Sequence, residues 1–163
     1  MKTLFIGLVA LAMMTGCSKE DKTPEKSQDY ATLIQGNWEI TGETVTVYDA
    51  DNQVIKTEPV EEGIGIKWTL QDGKITSREG DGEGDESGEV HSGTYVLNTK
   101  VNPPTIQISE NDGDEPDMTL LNITTLNNTN MVLEQLEDIS GLPDTDELQG
   151  ADHAVIKITL IRD

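Results

Sequence analysis

The sequence predicts an all-β chain: an antiparallel up-and-down β-barrel of about eight strands, preceded by one short helical turn. Three observations predict it. Apolar and polar residues alternate at period two through about nine short runs. Gly, Asn, Asp and Pro separate these runs, and each run lies close to the next, as serial hairpins require. Closing such a meander removes unpaired sheet edges, so a barrel is the economical arrangement, with a sandwich of crossing connections as the alternative.

The elements follow in order. Residues 30–34 (YATLI) are the one segment suited to a helical turn. Residues 36–49 (GNWEITGETVTVYD) carry Trp38, Ile40, Val45, Val47 and Tyr48 among Thr and Glu. Ala50-Asp51-Asn52 turns, and residues 53–60 return as a second strand until Glu61-Glu62-Gly63 interrupts the chain. In residues 64–70 (IGIKWTL) Ile64, Ile66 and Trp68 share a face; Gln71-Asp72-Gly73 then leads into residues 74–78 (KITSR). Residues 79–89 (EGDGEGDESGE) form a loop without an apolar side chain. Strands at 91–98 and 105–109 are separated by Pro103-Pro104, and a second acidic loop covers 110–117 (ENDGDEPD). Residues 118–125 and 130–136 flank a polar turn. An acidic insertion spans 137–150, and in the last strand, 152–162, Ala154, Ile156, Ile158 and Leu160 share one face.

The N-terminus reads differently. After Met1-Lys2, residues 4–14 (LFIGLVALAMM) are uninterruptedly apolar. A bilayer span takes about 20 residues, so this run suits the core of a secretory signal instead. Thr15, Gly16 and the only cysteine, Cys17, follow. Met14-Thr15-Gly16-Cys17 resembles a bacterial lipobox, with Met where Leu is commoner. The resemblance implies a diacylglyceryl group on Cys17, cleavage just before it and acylation of the new amino group, with palmitate the expected chain. Two or more acyl chains hold a protein stably where one does not. The expected organisation is therefore a signal over 1–16, a lipidated cysteine and flexible tether over 17–30, and a barrel over 31–163. Ser18 is not the aspartate linked with inner-membrane retention, and Lys19-Glu20-Asp21 resembles the signal that sends lipoproteins of Gram-negative bacteria to the outer face of the outer membrane. The expected location is the outer membrane facing the cell surface, with its periplasmic face as the alternative.

Charge narrows the partners. Thirty-one acids face 11 Lys and Arg, a net charge of −20. Loss of residues 1–16 removes Lys2 and no acid, leaving 147 residues at −21. Nucleic acid needs a basic counter-surface and is excluded as a partner. Anionic lipid does not attract such a surface either, so membrane attachment falls to the acyl chains on Cys17. No disulfide is available to the processed chain, and stability rests on a core. A chain of this length makes one domain.

"LIQGNWEITG" resembles the Gly-X-Trp opening of lipocalins and of small lipocalin-like lipoproteins of Gram-negative bacteria. "SGTYVLN" with "TIQIS" is similar to a middle hairpin of that group, and "AVIKITLIRD" to its closing strand. The resemblance covers most of residues 31–163. It implies that a helical turn precedes the first strand, that Trp38 plugs the closed barrel end, and that Arg162 packs over Trp38. No counterpart of the second lipocalin motif is present, and the acidic insertions are longer than the pattern.

Catalysis is not expected. His91 and His153 are the only histidines, and no nucleophile-elbow serine is present. Zinc wants three or four ligands, so no metal or cofactor is assigned. Asp81, Glu83 and Asp85 alternate as an EF-hand loop begins, but positions six and twelve hold Glu86 and Ser92 in place of Gly and Glu. With Asp112, Asp114 and Asp117 they are the only calcium candidates, and a solvated loop is the favoured reading. A barrel of eight strands either fills itself or holds one small molecule. The expected function is binding of a small apolar molecule, with Ile66, Trp68, Tyr95 and Ile158 as candidate lining. The alternative is a filled barrel acting as a scaffold, whose acidic loops meet an unidentified protein or glycan.

Overall fold

The computed structural model describes residues 29–79, 88–110, 117–139 and 148–163. Its elements are α1 (Tyr30–Leu33), β1 (Gly36–Asp49), β2 (Val54–Val60), β3 (Lys67–Gln71), β4 (Lys74–Arg78), β5 (Val90–Asn98), β6 (Thr105–Glu110), β7 (Asp117–Leu126), β8 (Asn130–Asp138) and β9 (Ala151–Arg162). Every strand pairing is antiparallel, from β3 through β9 in sequence order, and β9 returns to β1 along almost its whole length. The sheet is therefore closed.

Nine runs make eight barrel strands because β2 and β3 share one edge of β1. Val60 lies opposite Glu43 and Lys67 opposite Glu39. Between them Ile40 donates to the Ile66 carbonyl at 2.9 Å and Gly65 donates to the Ile40 carbonyl at 2.8 Å. β2 and β3 are thus two halves of one interrupted strand. The interruption needs φ of 93° at Gly63 and 88° at Gly65, conformations that glycine adopts without a side-chain clash. The expected third strand began at Ile64; the glycines delay it to Lys67.

Alternation along the strands sets which face is inside. In β1, Trp38 and Ile40 are buried and so is Val47, which is out of phase with them. The register slips between Ile40 and Gly42, leaving Thr41 as an extra residue. This bulge moves the inward set from even to odd positions, so that Glu43, Val45 and Val47 face in. A second slip at Thr124 does the same in β7, between Ile123 and Leu126.

The barrel has two unlike ends. At one end lie α1, the β3–β4 and β7–β8 turns and the last residues of β9. Asp29 caps α1, its carboxylate accepting from the Thr32 amide at 3.2 Å and the Thr32 hydroxyl at 2.7 Å, which holds the Asp29 carboxyl below its ordinary range. The fully buried residues Trp38, Leu70, Ile106, Leu121, Met131, Leu133 and Leu160 fill the interior from this end, with Ile34 beneath Trp38. At the other end the β1–β2 turn is tied by Asp49, whose carboxylate accepts from the amides of Asp51 and Gln53. The strand ends on either side of residues 80–87, 111–116 and 140–147 also lie there.

Candidate functional site

The closed end is sealed by side chains from the first and last strands. Trp38 and Arg162 are register partners across the β1–β9 seam, and the Arg162 guanidinium carbon lies 4.3 Å from the centre of the indole. Trp38 is 0% exposed, and its Nε1 donates to the Ile34 carbonyl at 2.8 Å. Arg162 Nη1 donates to the Gln35 carbonyl at 2.7 Å, and Nη2 to the Leu33 carbonyl. One planar cation therefore covers the indole face and satisfies two carbonyls at the end of α1, which no helical amide can reach. Gly36 makes room for it: an added Cβ would collide with Arg162 Nη1, and φ there is 133°.

Register shows which of the candidate lining residues face the barrel interior. Of the candidate lining residues, Trp68 pairs with Trp38, Ile158 with Leu133 and Tyr95 with Ile108, so all three point inward. Ile66, Trp68 and Ile158 are partly buried and pack on the core. Tyr95 is different. At 8% exposed beside the buried Ile108, it belongs to the core and forms floor rather than wall. Val45 and Ile156, partners across the β1–β9 seam, extend the apolar wall toward the mouth and are only half-buried.

Nearer the mouth several inward positions are polar, although Val47 and Ala154 on the β1–β9 seam are apolar and buried. Ser77 pairs with His91, and Gln135 and Glu137 follow Leu133 on the same face, Gln135 Nε2 donating to Glu137 at 3.2 Å. Lys56 pairs with Val47 and Glu58 with Val45, so this 2.9 Å ion pair also faces inward. Glu43 faces in beside Ile158, and its carboxyl is pushed above the ordinary range, first by burial and then by the neighbouring Glu62. Sequence reasoning missed this polar ring. The signal was present: read in steps of two, Met131, Leu133, Gln135, Glu137 and Leu97, Tyr95, Gly93, His91 both run from apolar to polar toward the mouth.

The two histidines do not share a centre. His91 faces inward, whereas His153 faces out, stacked on Tyr48 at 5.1 Å with Nδ1 3.0 Å from Asp152. Among the described residues no group of three His, Cys, Asp or Glu side chains is spaced to hold a metal ion. The calcium candidates Asp81, Glu83, Asp85, Asp112 and Asp114 lie outside the described residues, as does Cys17.

No family model and no curated protein matches the chain. Among solved structures the chain is similar to a lipocalin-like protein from Bacteroides uniformis ATCC 8492, with 16% identity and a TM-score of 0.45 over 79% of this chain and 97% of that one.

Proposed function

We propose that the chain is a lipoprotein anchored through Cys17 in the outer membrane, facing the cell surface, and that its barrel holds a small apolar molecule in the open half. The observation that carries the binding reading is the contrast between the two halves. Most inward side chains at the closed end are buried, Leu97 and Arg162 being partly so, whereas the inward apolar residues Val45, Ile156 and Ile158 farther up the β1–β9 seam remain partly exposed, next to the buried Val47 and Ala154. Apolar surface that points into a barrel yet meets water is what an apolar ligand covers, at roughly 25 cal/mol per Å² removed from water. The reading assigns no catalytic step and no cofactor.

Uptake of the neutral fluorophore N-phenyl-1-naphthylamine tests it. The expected result is saturable enhancement by the wild-type protein, lost in Ile156→Glu and retained in Val96→Ser, whose side chain is on the outer face. Equal uptake by Ile156→Glu would contradict it.

A second reading is a surface interaction module. Its support is topological: the strand ends flanking 80–87, 111–116 and 140–147, the most acidic stretches of the sequence, all lie at the mouth. Deleting residues 81–86 would then abolish partner capture while leaving fluorophore uptake intact.

A further inference from the structure

We infer that the cup takes an amphiphile with a cationic head in preference to a fatty acid, and that Glu43 is the residue that sets this specificity. The inference rests on the cup reading above and names its ligand class. The inner face supplies the argument. Among the described residues the inward charges of the open half are Lys56, Glu58, Glu43, Glu110 and Glu137, with His91 beside them. Lys56 and Glu58 neutralise each other at 2.9 Å. Three carboxylates are left, and Arg162, the one other inward cation, is held at the far end by Trp38 and the α1 carbonyls.

Glu43 is the one of the three with a large apolar residue opposite it on both sides. It is opposite Ile158 on one side and Val60 on the other, so its carboxylate stands within the apolar wall, level with Ile158 and one inward step below Val45 and Ile156. Its Oε2 would lie 3.6 Å from a Cβ on Gly63, at the interruption between β2 and β3. An apolar tail laid on Trp68 and Ile158 places its head group at this height. A carboxylate head would add a fourth negative charge to a partly dehydrated acidic ring. An ammonium head would relieve the repulsion between Glu43 and Glu62 and supply the opposite charge that Glu43 lacks. Ser77, Gln135 and Thr119, inward by their pairing with His91, Ile156 and Ile108, are neutral and accept an ammonium's hydrogen bonds.

The test uses two twelve-carbon probes, dodecylammonium and dodecanoate, below their micelle concentrations at neutral pH, followed by tryptophan fluorescence of the full native chain. Wild type is expected to bind the cation at least about tenfold more tightly, and Glu43→Gln to bring the two within about threefold. Glu134→Gln removes an outward carboxylate on the same barrel and is expected to leave the preference intact. Dodecanoate binding as tightly as the cation would overturn the inference while leaving the cup standing. An equal effect of Glu134→Gln, or none of Glu43→Gln, would overturn the role of Glu43. Binding of neither probe would overturn the cup reading and the inference together.

Discussion

Arg162 lies over Trp38 at 4.3 Å, and the two residues are register partners on the strands that close the barrel. The contact joins the ends of the barrel chain and fastens α1 across its base. Removing it should loosen all three. Arg162→Met keeps much of the stem but leaves the Leu33 and Gln35 carbonyls unpaired. It is expected to destabilise the fold by roughly 3 kcal/mol, combining the lost cation–π contact and charge-assisted hydrogen bonds. Arg162→Lys should recover less than half, because one ammonium cannot stack and span two carbonyls. Urea unfolding midpoints measure both; a lysine variant as stable as wild type would contradict the account.

Gly36 is part of the same lock. Gly36→Ala meets two penalties at once, a φ of 133° and a collision with the guanidinium. Its expected effect is a lower thermal midpoint together with altered near-ultraviolet circular dichroism from Trp38. Gly42→Ala, where the nearest atom to an added Cβ is 3.8 Å away, is expected to be far milder.

Glu43 should make stability fall as pH rises. Its folded carboxyl is raised, by burial and then by Glu62, so the folded chain holds this proton more tightly than the unfolded chain does. The contribution is favourable below the unfolded carboxyl range and is lost as pH climbs through the folded value. Glu43→Gln is therefore expected to stabilise the protein at pH 7, by less than about 1 kcal/mol given its solvent access, and to have no such effect at pH 3. Denaturation at the two pH values checks the sign.

The reading of "MTGC" is tested by Cys17→Ala. Loss of the thiol is expected to leave the precursor uncleaved or release the protein from membranes, and to abolish labelling by radioactive palmitate. Normal fractionation and labelling of this variant would contradict lipidation at Cys17.

Much of the fold is written locally. Period-two alternation and short polar turns are consequences of strand geometry, and they mark the strands from Gly36 to Arg162 with small boundary shifts. Long-range register is not written locally. Thr41 and Thr124 look like ordinary strand residues, and only pairing with β9 and β8 reveals them as bulges that reverse the inward phase. The union of β2 and β3 into one barrel strand was hidden for the same reason, since Gly63 and Gly65 read as a turn. For the site, Trp38 and Arg162 were found through a resemblance carried by Gly-X-Trp and the last strand. Glu43 was overlooked because a polar residue within an alternating run reads as outward until the Thr41 bulge fixes the phase, whereas Gln135 follows Leu133 in an unbroken β8 and needed only the inward phase carried on by two.

The central claim is that the open half of the barrel holds a small molecule. Native mass spectrometry of the protein, purified gently from its own host, tests it most directly. The account predicts a discrete added mass that disappears on denaturation and on Ile156→Glu substitution. A bare protein mass under conditions where added N-phenyl-1-naphthylamine also fails to bind would contradict it.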